Sequence, residues 1–207
     1  MRHIEKGAEP PELTELMKTP GVTYEAWTPR AVKDAVRRDG SRDQLGLCCY
    51  CCGPLPYDLS FHQIEHLIAQ SVDAAKTLDW SNLLVSCASG RPEFKSSKKA
   101  ELTCNDHNAQ SVLPISPLDP KCESHFRYVR ATGEIFANDT AGEKSIDVLN
   151  LDCLRLRLNR LHAMEEAEAQ LHRLPRQDWI IKFTMPVAGL LQPYEPAVRS
   201  LVTYNAP

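Results

Sequence analysis

No long apolar segment occurs in this sequence. None of its 207 residues belongs to a run of about 18 or more apolar residues, so we predict no segment that spans a membrane. The first eleven residues are polar and lack the apolar stretch of a secretory signal. We therefore expect a cytoplasmic protein without a membrane partner. In that compartment, eight cysteines are more readily explained by metal binding than by disulfides.

A Gly-rich phosphate loop ending in Lys-Ser or Lys-Thr is also missing, so the sequence offers no ATP site of its own. Excess positive charge is missing too, because 27 acidic residues outnumber 24 basic ones and the net charge is −3. Binding to nucleic acid depends on where charge lies and not on its sum. Local basic clusters occur at Arg37, Arg38 and Arg42, and between Arg91 and Lys99.

Most of the chemically active residues fall between Leu47 and Asn108. The stretch contains Cys48-Cys49-Tyr50-Cys51-Cys52, His62-Gln63-Ile64-Glu65-His66, Asn82-Leu83-Leu84-Val85-Ser86-Cys87 and Cys104-Asn105-Asp106-His107-Asn108. These motifs predict one compact site with two metals. Cysteines would hold a structural zinc, while oxygen and nitrogen ligands would hold a catalytic divalent ion.

The cysteine spacing predicts the zinc ligands. A turn with two residues between cysteines lets both sulfurs face one tetrahedral ion, and Cys48 and Cys51 have this spacing. Cys87 and Cys104 supply the other half, although 16 residues separate them. Cys49 and Cys52 offer a second register of the same turn, and the sequence leaves that alternative open. Cys122 and Cys153 have no partner at ligand spacing, and we expect both to be buried thiols.

The second site lies on three short predicted elements. Residues 61–64 alternate as a strand that ends at Glu65 and His66, and residues 82–85 predict a second strand that returns against it. A helix is predicted from Asn105 or Asp106. Two strands and a helix joined at their base by cysteines would make the first-strand histidine face the first turn of the helix.

The flanking segments are less informative. We predict an arm over residues 1–27 with a short helix near Leu13 to Met17, and a helix from Thr28-Pro29 that stops at Gly40. After the central site we expect a hairpin over residues 126–136. A helix over residues 146–174 would bury a stripe of leucines: Leu151, Leu154, Leu158, Leu161, Leu171 and Leu174. The predicted organisation is an arm and helix (1–45) for partner docking, a nuclease core (46–112) and a hairpin with helices (113–207).

The order of the central motifs resembles the HNH endonucleases of the ββα-metal fold. The motifs that carry the resemblance are Cys48-x-x-Cys51, Ile64-Glu65-His66, Asn82-Leu83-Leu84 leading into Cys87, and Cys104-Asn105. Further similarity links the chain to the PtuB-type HNH subunit of Septu and retron-associated anti-phage systems. It covers most of residues 1–160, through Met1–Gly7 with Glu9-Pro10, Cys122–Phe126 and Val148–Leu151.

This resemblance implies an α+β fold with a zinc-clasped ββα-metal core. It implies that His66 is the general base, that Glu65 binds Mg²⁺ or Mn²⁺, and that Asn82 orients His66 through a hydrogen bond. Asn105 would complete the catalytic metal site, or His107 if the register is shifted. The chain departs from the family pattern at Ala69, where proline is common, and at Asn108, where lysine is common.

The resemblance also implies partners. These are a PtuA-type ATPase subunit and a nucleic-acid substrate, DNA in preference to RNA. A retron reverse transcriptase and its DNA product are further candidates that the residues themselves leave open. The alternative function is a non-catalytic zinc module that binds nucleic acid or protein. Glu65 and His66 favour the nuclease, because a binding module needs no base beside a metal ligand.

Overall fold

The computed structural model describes residues 1–22, 29–88, 102–108 and 112–203, and it shows a mixed helical and sheet protein. The α+β class expected from the sequence is therefore confirmed. None of the helices in these ranges is long and apolar enough to cross a membrane. The elements in chain order are α1 (Pro11–Met17), α2 (Arg30–Asp43), β1 (His62–His66), β2 (Leu83–Cys87), α3 (Asn105–Asn108), β3 (Phe126–Tyr128), β4 (Ile135–Ala137), α4 (Thr140–Leu149), α5 (Leu154–Leu171), α6 (Arg176–Thr184) and α7 (Glu195–Thr203).

Two antiparallel strands carry the central motifs. In the register of β1 and β2, His62 pairs with Cys87 and His66 pairs with Leu83. Helix α2 packs on this pair of strands. The buried Gln44, directly after α2, donates from Nε2 to the Val85 carbonyl at 2.7 Å and accepts from the Val85 amide at 2.8 Å. Gln44 thus forms hydrogen bonds with both backbone groups of Val85, as a neighbouring strand would.

Helix α2 differs from the prediction at its C-terminal end. It continues through Gly40 to Asp43, so the predicted end at Gly40 is wrong. Gly40 serves packing instead, because a Cβ there would lie 2.7 Å from Cγ2 of Val85 on β2. The chain leaves the helix at Leu45 and Gly46, whose φ angles of 54° and 78° are left-handed. Thr28, the predicted cap, lies outside the described residues.

The N-terminal arm packs on its own chain. Met1 and Ile4 are buried in the main hydrophobic cluster, and Leu13 of α1 is buried in a second cluster with residues of α2 and β2. Lys6 Nζ donates to the Leu83 carbonyl at 2.8 Å, which ties the arm to the start of β2. Residues 1–22 therefore form part of the support for the central strands.

The predicted hairpin forms from β3 and β4, with Phe126 opposite Ala137. Its turn depends on Gly133, which has a φ of 67° and lies so close to α5 that a Cβ would meet the Arg157 carbonyl oxygen at 2.1 Å. Glycine alone fits this contact.

The predicted single helix over residues 146–174 is wrong, and its leucine stripe is only partly buried, at Leu151, Leu171 and Leu174. The segment forms two helices, α4 and α5, separated at Asn150 with a left-handed φ of 48°. On α5, Leu154 and Leu158 are 70% and 53% exposed. The buried face consists of Leu156, Arg160, Met164 and Ala167.

A polar residue holds the centre of that face. Arg160 donates to the carbonyls of Gly133 at 2.7 Å and Leu151 at 2.9 Å, so its burial is compensated by backbone acceptors. The main hydrophobic cluster includes residues of the arm, the central cysteines and α4 to α7. The division into segments 1–45, 46–112 and 113–207 stays a prediction.

Candidate functional site

Four cysteines form a compact group, the four-cysteine cluster, at the base of the central strands. The sulfurs of Cys48, Cys51, Cys87 and Cys104 all lie within 4.8 Å of one another. Individual Sγ to Sγ distances are 3.8 Å for Cys48–Cys104, 3.8 Å for Cys51–Cys87 and 3.7 Å for Cys87–Cys104. Four thiolates about 2.3 Å from a tetrahedral zinc would be about 3.8 Å apart. The four-cysteine cluster therefore fits a structural zinc ion.

A tight turn creates the first half of this cluster. The amide of Cys52 donates to the Cys48 carbonyl at 3.1 Å, and the amide of Cys48 donates to the Gly53 carbonyl at 2.8 Å. The left-handed φ of 58° at Cys52 reverses the chain. Backbone amides also reach the sulfurs, from Gly53 to Cys51 at 3.4 Å and from Cys87 to Cys48 at 3.3 Å. Such donors favour the ionised thiolate that metal binding requires.

The structure separates the two cysteine registers. Cys49 and Cys52 are not members of the group of four. Burial raises the pKa of Cys49 well above its usual range and that of Cys52 to about 12, so both stay protonated thiols. Burial also opposes ionisation of Cys48, but hydrogen bonds from neighbouring thiols, that of Cys104 first, outweigh it and lower the Cys48 pKa. Of the two remaining cysteines, Cys122 is buried and Cys153 is partly exposed.

A cavity of about 1190 Å³ lies beside the four-cysteine cluster. Its wall includes Glu65 and His66 from the end of β1, Asn105 and Asn108 from α3, and Tyr50 from the cysteine turn. The arm contributes another part of the wall, over residues 17 and 19–22. The structure thus brings three of the predicted site residues, Glu65, His66 and Asn105, to one cavity. Asn82 and His107 are not among the described residues that line it.

His66 is held in one tautomer. Its Nε2 lies 3.0 Å from the Thr77 carbonyl oxygen, which can only accept, so Nε2 carries the proton. Nδ1 is then the basic nitrogen of the neutral ring. Burial lowers the pKa of His66 from its usual 6.5, in spite of the opposing hydrogen bond to Thr77. The neutral imidazole therefore predominates at neutral pH, as a general base requires.

Glu65 is a buried carboxyl group at the end of β1. Burial raises the Glu65 pKa to about 8, the charge of Cys48 adds to this effect, and the hydroxyl group of Tyr50 opposes it. Within the described residues, its Oε2 atom has no hydrogen-bond partner, and the same holds for Oδ1 of the buried Asn108. Buried acceptors without donors are rare. Two of them on one cavity wall fit a hard divalent cation that prefers oxygen ligands.

Asn82 acts on the loop that follows β1. Its Oδ1 accepts from the Ile68 amide at 2.7 Å, and its Nδ2 donates to the carbonyls of Ile68 at 3.1 Å and Lys76 at 2.9 Å. Thr77, the next residue, supplies the carbonyl that holds His66. The contacts shown for Asn82 therefore connect it to His66 through the loop.

The short helix α3 presents two different faces. Asn105 Nδ2 donates to Gln63 Oε1 at 3.3 Å, and Gln63 Nε2 donates to Asp106 Oδ1 at 2.7 Å, which fastens α3 to β1. His107 lies towards α4, where its Nδ1 donates to the Val148 carbonyl at 2.9 Å. Of the two residues expected to complete the catalytic metal site, Asn105 is the one that lines the cavity.

Sequence reasoning did not include Tyr50 and Asn108 in the site. A signal for Asn108 was available, because residues three apart on a helix share a face and Asn108 follows Asn105 by three. Tyr50 had a weaker signal, namely its position between cysteines of the predicted turn.

Comparison with known proteins adds a relative but no family model, since none matches the chain. Over 173 residues the chain is 28% identical to a protein of Vibrio cholerae serotype O1 biovar El Tor described as "Retron Vc95 putative HNH endonuclease". The match covers 80% of this chain and 80% of the relative. This similarity supports the HNH endonuclease family for the chain.

Proposed function

We propose that the protein is a metal-dependent HNH endonuclease that hydrolyses phosphodiester bonds of nucleic acid, DNA in preference to RNA. Its core would be a ββα-metal unit made of β1, β2 and α3. One observation carries the proposal: a neutral histidine and a buried carboxyl group are adjacent at the end of β1 and line one cavity with Asn105, and the Oε2 atom of the carboxyl group has no hydrogen-bond partner among the described residues. The HNH description of the relative supports the same reading.

His66 would remove a proton from water through Nδ1, because its Nε2 is bonded to the Thr77 carbonyl. That carbonyl would also stabilise the imidazolium form that follows, since the Nε2–H continues to donate to it. The nucleophile would attack the phosphorus in line with the departing oxygen. Asn82 would keep the Thr77 segment in place through its bond to the Lys76 carbonyl.

The catalytic ion would be Mg²⁺ or Mn²⁺, held by Glu65 and Asn105. Bound there, it would stabilise charge on the phosphoryl and departing oxygens. A further ligand would come from His107, as the shifted register implies, or from Asn108. Asn108 is favoured, because its Oδ1 atom has no hydrogen-bond partner among the described residues. The four-cysteine cluster would keep zinc in a separate structural site, because thiolates prefer softer ions.

The chain would act as the nuclease effector of an anti-phage complex. Two observations support this proposal, namely the resemblance to PtuB-type subunits and the retron in the name of the relative. The partner would be a PtuA-type ATPase, with a retron reverse transcriptase and its DNA product as further components. The exposed side of the arm and the C-terminal helices are the candidate docking surfaces.

The test is cleavage of plasmid DNA, and separately of cellular RNA, by the protein purified with its partner. Each substrate is incubated with Mg²⁺, with EDTA, and with the variant His66→Ala, while His172→Ala serves as a distant histidine control. The expected result is metal-dependent cutting that His66→Ala reduces by about 10²- to 10⁴-fold and His172→Ala leaves unchanged. Zinc-loaded protein that binds nucleic acid or its partner but cuts neither polymer would support the non-catalytic zinc module instead.

A further inference from the structure

We propose that Tyr50 is a positioning residue that donates its hydroxyl hydrogen to Glu65 and thereby couples the four-cysteine cluster to the carboxylate of the catalytic site. The inference rests on the proposed function, because it assigns Glu65 the role of an ion ligand.

The first observation is a matched pair of buried groups. Tyr50 is fully buried, and its hydroxyl lies close enough to Glu65 to lower the pKa of that carboxyl group. Neither the hydroxyl oxygen nor Oε2 of the buried Glu65 makes a hydrogen bond of regular geometry in the part of the chain that the structure describes. Both side chains line the same cavity. A phenol at neutral pH can donate one hydrogen bond, whereas an ionised carboxylate can only accept. The two groups thus complement each other.

Packing alone does not explain a tyrosine here. Tyr50 belongs to the main hydrophobic cluster, where a phenylalanine would bury the same ring without a polar atom. A buried hydroxyl without a partner destabilises the fold, because it has lost its hydrogen bonds to water and gained none in return. The hydroxyl is therefore best explained by a partner that accepts when the carboxylate is ionised, which is the state that binds a cation.

The four-cysteine cluster fixes the position of the phenol. Tyr50 lies between Cys48 and Cys51 in the turn, and the neighbouring Cys49 amide donates to the Val85 carbonyl of β2 at 3.1 Å. The backbone on both sides of the ring is thus held, by the cysteine cluster and by β2. Metal ligands are commonly oriented by such outer partners, whose loss costs about 10- to 100-fold in metal affinity.

The experiment measures Mn²⁺ affinity by electron paramagnetic resonance on the full-length, zinc-loaded protein. The wild type, Tyr50→Phe, Glu65→Gln and the double variant form a cycle, with zinc content measured for each. Tyr50→Phe is expected to weaken Mn²⁺ binding about 10- to 100-fold in the wild-type background, and to have no further effect when Glu65 is already glutamine.

Two further variants separate this role from general packing. Tyr194→Phe also removes a buried hydroxyl, which accepts a hydrogen bond from Asn159 Nδ2 at 3.0 Å. Tyr194 does not line the cavity, so this variant should leave Mn²⁺ affinity unchanged. The analogue 4-aminophenylalanine at position 50 keeps the ring and supplies an N–H donor. It should restore affinity to within a few-fold of the wild type.

The outcomes separate the inference from the proposed function. Wild-type Mn²⁺ binding that depends on Glu65 but not on Tyr50 would overturn the inference alone, as would equal losses from Tyr50→Phe in both backgrounds. A failure of the analogue to restore binding would do the same. Two results would overturn the ion site of the proposed function, and the inference with it. The wild type could bind no Mn²⁺, or the wild type and Glu65→Gln could bind Mn²⁺ with equal affinity.

Discussion

The four-cysteine cluster and the cavity wall are two groups of buried ligand atoms that differ in how complete they are. The four sulfurs already lie within 4.8 Å of one another, at the separations that one tetrahedral ion needs. The cavity oxygens of Glu65 and Asn108 lie on the wall of an open volume, without hydrogen-bond partners among the described residues. The chain thus supplies a complete ligand set where an ion would stabilise the fold, and an incomplete one where water and substrate would enter.

The largest expected effect comes from breaking the complete set. Cys51→Ser should remove most of the contribution of zinc to folding, which is on the order of 10 kcal/mol. The variant should lose zinc and unfold at ordinary temperature, as measured by metal analysis and circular dichroism. Cys49→Ser is the matched control, because Cys49 is outside the group of four. A Cys49→Ser variant that loses its zinc while Cys51→Ser retains it would reverse the assignment.

Asn82→Ala should destabilise the loop that holds His66 in the cavity wall. The buried Asn82 makes three hydrogen bonds to the loop between β1 and β2, so its loss should cost about 3 kcal/mol of unfolding free energy. Chemical denaturation measures this loss. Cleavage should also fall, because the Thr77 carbonyl would no longer be fixed. The control is Asn138→Ala, which removes one hydrogen bond from an exposed asparagine and should cost less than about 1 kcal/mol of unfolding free energy. A similar loss of unfolding free energy in both variants would contradict the role given to Asn82.

Variants of Asn108 and His107 test which residue of α3 binds the catalytic ion. Asn108→Ala should weaken Mn²⁺ binding roughly tenfold or more, because it removes an oxygen from the cavity wall. His107→Ala should leave Mn²⁺ affinity unchanged within about twofold, because that ring bonds to the Val148 carbonyl instead. Titration of each zinc-loaded variant with Mn²⁺ measures both affinities. The opposite pattern would favour the shifted register in which His107 binds the ion.

The half-buried carboxylate of Glu123 shows the effect of a charged partner from the same chain. Burial would raise the Glu123 pKa, but the hydrogen bond and charge of Arg199 outweigh burial and lower the pKa below its usual 4.5. The stabilisation by this pair is therefore fully present above pH 4.5 and is lost as the pH falls through the folded-state pKa. Glu123→Gln should cost about 1 kcal/mol at about pH 7, discounted for partial exposure, and nothing in strong acid.

Denaturant unfolding of Glu123→Gln at about pH 7 and at about pH 2 to 3 measures this dependence. The exposed Glu166→Gln variant is the control and should be neutral at both pH values. A loss from Glu123→Gln that is equal at both pH values would show that charge is not the cause.

The features that could be predicted from the sequence were those with a short, regular spacing of residues. Cysteine spacing is a property of one turn and two chain positions, and the structure brings Cys48, Cys51, Cys87 and Cys104 together. The strands predicted over residues 61–64 and 82–85 also formed, with bounds shifted to residues 62–66 and 83–87. These features depend on local geometry that a single sequence contains.

Features set by distant contacts were missed. Gly40 lies inside a helix, where Val85 of β2 occupies the space that a side chain at position 40 would need. The leucine spacing between Leu151 and Leu158 suggested one buried stripe. Leu151 instead lies between the two helices, and α5 buries the face that carries Arg160, because two carbonyls accept hydrogen bonds from that side chain. Neither contact is visible in the spacing of apolar residues. Roles for Tyr50 and Asn108 likewise required the cavity.

The most direct test of two chemically distinct metal sites is X-ray absorption spectroscopy of protein loaded with both Zn²⁺ and Mn²⁺. The predicted zinc spectrum shows four sulfur ligands at about 2.3 Å and no lighter ligand. The predicted manganese spectrum shows oxygen and nitrogen ligands without sulfur, and it loses most of its intensity in Glu65→Gln at the same stoichiometric loading. Manganese bound through sulfur, or manganese that Glu65→Gln leaves in place, would contradict the account.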